Sequence, residues 1–226
     1  KNWLLDFSGC DGGTIGSPEK QSIWVCGIEW GGGTDTEGLK NYINQQWNGS
    51  PDFGYEKIED LDFYPYNRIV YKLLGVMQGY PIDSYREFAQ KEQPFVENSH
   101  SSYFKMNLYP IAFIDTDHAH WEKDFSEITE FEDKQQYIEW CHENRFPVMK
   151  QWVQKYGPKL IICFGKTYKY EFDLAFSDNY QEFTNEAIGD LVLQWKKNDN
   201  GTIIAILPFP NAVNKGLKSH SDIEAM

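Results

Sequence analysis

Four short apolar runs, each followed by polar residues or glycines, constrain the fold of this chain more than any other feature of its sequence. The runs are Ile23–Gly27, Tyr103–Met106, Leu160–Phe164 and Thr202–Leu207. Continuous β-branched runs separated by helical stretches are typical of buried parallel strands, and open α/β sheets bind ligands at the carboxyl ends of such strands. We therefore predict a three-layer α/β/α fold with a central, mostly parallel, four-stranded sheet and a site at the strand ends.

Helical signals fill the segments between the runs. One helix is predicted to begin near Thr36, where Thr34 and Glu37 have the spacing of a capping box. A second is predicted from about Pro65 to Gln78, with an apolar stripe at helical spacing. Further helices are expected from Ser84 onward, around 135–144 and at 147–156.

Two other segments complete the predicted architecture. Leu191–Trp195 is followed by an Asn200-Gly201 turn and then by the last apolar run, a pattern typical of a hairpin. One strand of the sheet is therefore expected to be antiparallel. The acidic stretch Ile114–Asp133 is predicted to be a solvated insertion.

Length, charge and cysteine content restrict the class of protein. The 226 residues show no shift in composition, so we expect a single domain covering residues 1–226. A net charge of −13 argues against strong non-specific DNA binding, although lysines in the last third make the strand ends less acidic. The four cysteines lack CxxC spacing, and no apolar run approaches the roughly 20 residues of a membrane span. We expect a cytoplasmic monomer with no membrane partner.

Two polar residues at the predicted strand ends have the chemistry of a catalytic or binding site. Glu29 lies two residues after Gly27 and precedes an aromatic residue and three glycines, so its carboxylate is placed to orient a water molecule. Asn107 follows the second run, and its amide has the donors and acceptor needed to recognise one edge of a base. The alternatives are a turn-capping role for Glu29 and a structural role for a buried Asn107 satisfied by backbone.

Three motifs follow one another along the chain, Gly27-Ile28-Glu29, then Asn107–Phe113, then Pro208–Leu217. Together they resemble the uracil-DNA glycosylase superfamily, in particular its single-strand-selective monofunctional branch. The resemblance extends from Ile23 to Leu217. It implies that Glu29 activates the attacking water, that Asn107 makes paired hydrogen bonds to the uracil edge, and that the last motif stabilises the leaving base.

The same resemblance assigns the remaining residues of the predicted site. It implies no metal and no cofactor, because the base itself can leave as a stabilised anion. The expected partner is DNA, either single-stranded or a damaged duplex. A flipped base also needs an aromatic stacking partner. The predicted substrate contacts are Gly27, Ile28, Trp30, Asn107 and Phe209, with a stacking ring from Phe63, Tyr64 or Tyr66, and the predicted DNA contacts are Lys166, Val213 as the inserted wedge, Asn214 and Lys215.

Phe209 departs from the family pattern. The family usually has a histidine there, which donates to the oxygen of the leaving uracil, and removing such a donor typically costs about 10²–10³ in rate. Asn211, two residues later, is the predicted substitute and second catalytic residue. The alternative function is a catalytically inactive relative that binds a base, a nucleotide or a protein partner in the strand-end cleft.

One further segment contains residue types that bind metals. It is Asp115–His120, with two aspartates and two histidines. It has no matching pair of ligands at a recognised spacing elsewhere in the sequence. We therefore predict a solvated acidic loop and no metal site.

Overall fold

A computed structural model describes residues 1–44, 54–114, 121, 123–210, 216–217 and 219–226. Within this part of the chain, one sheet contains seven strands in the order β1-β3-β2-β4-β7-β6-β5. The strands are β1 Cys10–Gly13, β2 Ile23–Gly27, β3 Tyr103–Asn107, β4 Leu160–Phe164, β5 Thr184–Ile188, β6 Leu191–Lys197 and β7 Ile203–Leu207.

The four apolar runs form neighbouring strands in the middle of this sheet. β3, β2, β4 and β7 pair in parallel, in that order. β1 pairs antiparallel with β3 at one edge, and β6 and β5 add antiparallel pairs at the other. The α/β class is confirmed, but the predicted four-stranded, mostly parallel sheet is wrong, since the sheet is mixed and has seven strands.

Physical reasons account for the strands that the sequence did not predict. β1 has the sequence Cys-Asp-Gly-Gly, which lacks an apolar pattern. It can pair with β3 because Gly13 has no Cβ, which would collide with the Tyr103 carbonyl oxygen. β5 lies at the other edge and is almost wholly exposed, so burial imposes no pattern on it. The predicted hairpin is confirmed, because β6 pairs antiparallel with β7.

Helices cover both faces of the sheet, because alternate strand residues point to opposite sides. Trp24 and Cys26 of β2 lie in one apolar core, and Ile23 and Val25 lie in the other. The α7 layer, on the first face, consists of α1 Thr36–Asn44, α5 Lys123–Thr129, α6 Lys134–Trp140, α7 Phe146–Tyr156 and α8 Lys169–Phe176. The α3 layer, on the second face, consists of α2 Ile58–Asp62, α3 Pro65–Met77, α4 Tyr85–Glu92 and α9 His220–Ala225.

The predicted helices agree with the observed ones except around the acidic stretch. The helices predicted near 135–144 and 147–156 are α6 and α7, joined by a π-helical turn at Cys141–Arg145. The prediction of a solvated insertion at Ile114–Asp133 is wrong for its described part. Phe125 in α5 and Phe131 after it are buried in the core of the α7 layer.

The strand order identifies where a ligand is expected to bind. The chain passes from β2 to its neighbour β3, and then crosses to β4 on the other side of β2. Ligands of open α/β sheets bind outside the carboxyl ends of the strands where the order reverses in this way. The carboxyl ends of β2, β3 and β4 are here called the strand-end site. No helix in the described ranges is long and apolar enough to cross a membrane.

Candidate functional site

Asn107 is held in a fixed orientation at the strand-end site. It is the last residue of β3 and pairs with Gly27, the last residue of β2. Its side chain is buried, and its Oδ1 lies so close to Gly27 that a Cβ at position 27 would collide with it. The Gly9 carbonyl accepts hydrogen bonds from the Asn107 backbone at 2.8 Å and from Nδ2 at 3.4 Å. The amide oxygen therefore faces β2.

The loops that follow β2 and β3 remain paired beyond the strands. The backbone N–H of Leu108 donates to the Gly27 carbonyl at 3.1 Å, and that of Tyr109 donates to the Ile28 carbonyl at 2.9 Å. These bonds hold the first two sequence motifs side by side. The predicted grouping of the two motifs at one end of the sheet is therefore present in the structure.

Tyr66 from α3 brings a buried hydroxyl group to the same place. Its Oη lies 3.6 Å from the position that a Cβ on Gly27 would occupy. Its ring packs against Phe164 at the end of β4 and against Phe209, with centroid distances of 5.6 and 5.9 Å. Within the described part of the chain, Tyr66 Oη has no hydrogen-bond partner. Burial, followed by the nearby Cys26, Asp11 and Cys163 side chains, raises the pKa of Tyr66, so its hydroxyl stays neutral and able to donate.

A buried ion pair lies beside Tyr66. Lys105 is two residues before Asn107, on the same face of β3, and its ammonium group pairs with the Asp11 carboxylate from β1. Trp30 Nε1 donates a hydrogen bond to the same carboxylate. The Lys105 Nζ lies 5.6 Å from the centroid of the Tyr66 ring, so the positive charge contacts the ring that carries the unpartnered hydroxyl.

Glu29 belongs to a neighbouring cluster that faces the α7 layer. Lys134, the first residue of α6, places its Nζ 3.7 Å from Glu29 Oε2, and the side chains are only 2% and 7% exposed. The same Nζ lies 3.7 Å from the centroid of the Phe113 ring. Removal of either member of a buried pair is destabilising, so Lys134 helps to hold the Glu29 side chain in place.

Next to Glu29, a hydrogen bond links the loop after β3 to the π-helical turn. Tyr109 Oη and His142 Nε2 are 2.9 Å apart. Burial lowers the pKa of His142, against the opposing effect of Glu171 and Glu139, and burial raises the pKa of Tyr109. The two groups thus form a neutral pair near neutral pH.

The predicted stacking aromatics lie in different surroundings. Tyr66 reaches the strand-end site, as described above. Phe63 and Tyr64 are 79% and 49% exposed, with ring centroids 5.3 Å apart. Phe63 borders a cavity between α2 and α4.

Other predicted residues surround the strand-end site or fall outside the described residues. Ile28 is buried in the core of the α7 layer, and Lys166 is exposed directly after β4. Phe209 is next to Pro210, which forms a β-bridge with Leu217. Outside the described residues lie Asn211, Val213, Asn214, Lys215 and the segment Asp115–His120.

Sequence reasoning missed the charged residues around the site. Lys105 was visible as a lysine inside an otherwise apolar strand, which indicates a buried partner. Asp11 and Lys134 gave no comparable signal, because their partners are distant in sequence. Among the described residues, no group of three or more His, Cys, Asp or Glu side chains is arranged to hold a metal ion.

Comparison with known proteins adds no match: no protein-family model fits this sequence, and no curated protein resembles it significantly.

Proposed function

We propose that the protein is a DNA glycosylase-like hydrolase that cleaves the N-glycosidic bond of uracil or of a related deaminated or damaged base. The observation that carries this proposal is the meeting, above Gly27, of the Asn107 amide and of the Tyr66 hydroxyl, which has no hydrogen-bond partner among the described residues. An amide and a hydroxyl at fixed positions are what recognition of one edge of a planar base requires. The position, at the carboxyl ends of parallel strands, supports the proposal.

Asn107 reads the base in this proposal. Its amide orientation is set by the Gly9 carbonyl, so little conformational freedom is lost when a base binds. Gly27 leaves the space that the amide oxygen occupies. Ile28, Trp30 and Phe209 complete the surroundings of the substrate.

Tyr66 supplies the donor that Phe209 lacks. As the glycosidic bond breaks, negative charge develops on the carbonyl oxygen of the leaving base, and a fixed donor in a buried site stabilises that charge. The neutral Tyr66 hydroxyl is such a donor. The nearby Lys105 ammonium favours the same charge, although Asp11 offsets part of it.

Glu29 positions and activates the attacking water. Its ion pair with Lys134 holds the side chain in place, and a carboxylate can accept a proton from water. Asn211 is a second catalytic candidate. Lys166, Val213, Asn214 and Lys215 serve as DNA contacts, and the reaction requires no cofactor. Four buried free cysteines suit a reducing cytoplasm.

A second candidate function is a catalytically inactive relative that binds a base, a nucleotide or a protein partner. The burial of Glu29 against Lys134 favours it, because a carboxylate enclosed with a cation has limited access to water. The net charge of −13 also disfavours DNA.

Base release distinguishes the two functions. The substrates are single- and double-stranded oligonucleotides that carry uracil, hypoxanthine, xanthine or hydroxymethyluracil, at low salt. Asn107→Ala and Glu29→Gln are compared with Asn185→Ala and Glu186→Gln, matched changes at exposed positions of β5.

We expect the parent and both β5 variants to release base. We expect Asn107→Ala and Glu29→Gln to be slower by about 10²–10⁴, the usual contribution of a positioned group. If no substrate loses its base to a folded parent protein, the inactive relative is the better description. Equilibrium binding of the same oligonucleotides then separates a base binder from a protein binder.

A further inference from the structure

Tyr42 of α1 contacts the loops around the strand-end site from a helix that contains none of the sequence motifs. Its hydroxyl oxygen accepts a hydrogen bond from the backbone N–H of Gly9 at 2.6 Å. Its ring meets the Trp30 ring edge to face, with a centroid distance of 5.2 Å. Trp30 follows Glu29 directly in the chain. One tyrosine thus contacts both the segment before β1 and the loop after β2.

The contact with Gly9 matters because Gly9 orients the Asn107 side chain. The Gly9 carbonyl oxygen accepts hydrogen bonds from the Asn107 backbone N–H at 2.8 Å and from Nδ2 at 3.4 Å. The φ of Gly9 is 80°, in the left-handed region, and a Cβ there would lie 3.1 Å from Arg145 Nη2. The N–H and the carbonyl of Gly9 flank one Cα, so the bond from the N–H to Tyr42 helps to fix the direction of the carbonyl.

The chain on either side of these residues has a separate anchor. The Arg145 guanidinium donates to the carbonyl oxygens of Ser8 and Leu108, which are the neighbours of Gly9 and Asn107. Burial raises the pKa of Tyr42, so its hydroxyl is neutral. Loss of the Tyr42 hydroxyl should therefore act locally, on the direction of the Gly9 peptide groups, while Arg145 keeps the two segments together.

The orientation of the Asn107 amide decides which base edge it can recognise. An amide offers an acceptor on one side and donors on the other. Uracil presents a donor at N3 and an acceptor at O4, whereas cytosine presents an acceptor at N3 and a donor at its exocyclic amine. An amide turned over by 180° would match cytosine instead of uracil. In Asn107 that turn would place Oδ1 against the Gly9 carbonyl oxygen, where two acceptors repel each other.

We propose that Tyr42 is a positioning residue that sets base specificity, because its hydroxyl holds Gly9 and Gly9 holds the Asn107 amide in the orientation that accepts uracil and rejects cytosine. Tyr42 itself contacts no reacting atom in this proposal. The inference rests on the proposed role of Asn107 as the base reader.

Tyr42→Phe tests the link between the hydroxyl and the amide without any need for catalysis. The variant keeps the ring that packs on Trp30 and removes the acceptor of the Gly9 N–H. We expect faster hydrogen exchange at the Gly9 backbone amide and a shift of the Asn107 side-chain NH₂ resonances in NMR spectra. Tyr180→Phe, at a fully exposed tyrosine, should change neither.

Release of uracil and of cytosine from single-stranded oligonucleotides tests the specificity. We expect Tyr42→Phe to lower kcat/KM for uracil by up to about 10²-fold, the usual cost of a misplaced group. The ratio of uracil release to cytosine release should fall by about tenfold, the effect of one hydrogen bond. In an Asn107→Ala background the same tyrosine change should have no further effect, because the amide that it positions is absent.

The proposal is overturned if Gly9 exchange and the Asn107 resonances are the same in the Tyr42 variant and in the parent. It is also overturned if the losses caused by Tyr42→Phe and Asn107→Ala add, since the tyrosine then acts independently of the amide. A parent that releases no base contradicts the glycosylase proposal alone. The NMR comparison then decides the role of Tyr42, with free uracil and free cytosine titrated in place of the oligonucleotides.

Discussion

At the scale of single residues, the strand-end site depends on a glycine and on a hydroxyl. Gly27 has no side chain, and Asn107 Oδ1 occupies the space that a methyl group would take. Tyr66 Oη is buried beside them without a hydrogen-bond partner in the described part of the chain. Native proteins pair almost all buried polar atoms, so a buried hydroxyl without a partner among the described residues is unusual, and the proposed function gives it a role.

Gly27→Ala is expected to displace the Asn107 amide. The added methyl collides with Oδ1, and overpacking of this kind typically costs about 1–3 kcal/mol of unfolding free energy. Urea denaturation measures the loss, and base release or base binding should fall with it. Gly31→Ala is the matched control, because a Cβ at position 31 meets no atom within 4 Å. Equal stability of the two variants would contradict the described position of the amide.

Tyr66→Phe removes a hydroxyl that has no hydrogen-bond partner in the described ranges, and it changes little else. If Tyr66 stabilises the leaving base, the rate of base release should fall by about 10²–10³. The free energy of unfolding should stay the same or rise, because a buried polar atom without a partner is lost. Tyr64→Phe, at an exposed tyrosine, is the control. Unchanged base release in the Tyr66 variant would assign the donor role elsewhere.

At the scale of elements, the π-helical turn Cys141–Arg145 connects the N-terminal segment with the strand-end loops. Arg145 is completely buried, and its guanidinium donates to the carbonyl oxygens of Leu108, Leu4 and Ser8. His142 in the same turn bonds to Tyr109. Extra residues in π-helical turns are often associated with functional sites, and here the turn directs two side chains toward the loop after Asn107.

The stability of the protein should depend on pH through His142. Burial lowers its pKa in the folded protein below the ordinary value of 6.5. The unfolded chain therefore binds more protons between the two pKa values, and stability falls as the pH decreases below about 6.5. Urea denaturation at pH 7 and at about pH 5.5 should show this loss in the parent.

His142→Gln keeps a polar partner for Tyr109 but does not titrate in this range. The loss between the two pH values should be smaller in this variant than in the parent. A parent and a His142 variant with the same pH dependence would show that protonation of His142 is not coupled to unfolding.

At the scale of the whole molecule, the sequence predicted the strands that lie in the middle of the sheet, where both faces are covered by helices. β2, β3, β4 and β7 are buried over most of their length on both faces, so each is a mainly apolar run that can be recognised without a structure. β1 and β5 lie at edges, where pairing depends on a distant strand and not on a local pattern. The segment predicted to be a solvated insertion contains two core aromatics, Phe125 and Phe131. The prediction failed because the many acidic residues of the segment outweighed these two in its composition.

The residues of the candidate site also differ in whether the sequence could predict them. Glu29 and Asn107 follow apolar runs directly, so their positions at the strand ends could be predicted from strand polarity alone. Lys134, Asp11 and Tyr66 reach the same region from other elements, and only tertiary packing brings them there. The separation of Glu29 and Asn107 into two clusters likewise depends on which helix layer each side chain faces.

The antiparallel pairing of β1 with β3 links the protection of a strand edge to the orientation of the Asn107 amide. β1 covers the outer side of β3, and Gly9 just before it supplies the carbonyl that orients the Asn107 amide. A chain shortened to begin at Thr14 would lose that carbonyl and would also expose an unprotected strand edge, which invites pairing between molecules. The first thirteen residues thus cover the edge of β3 and also hold the amide side chain at its end.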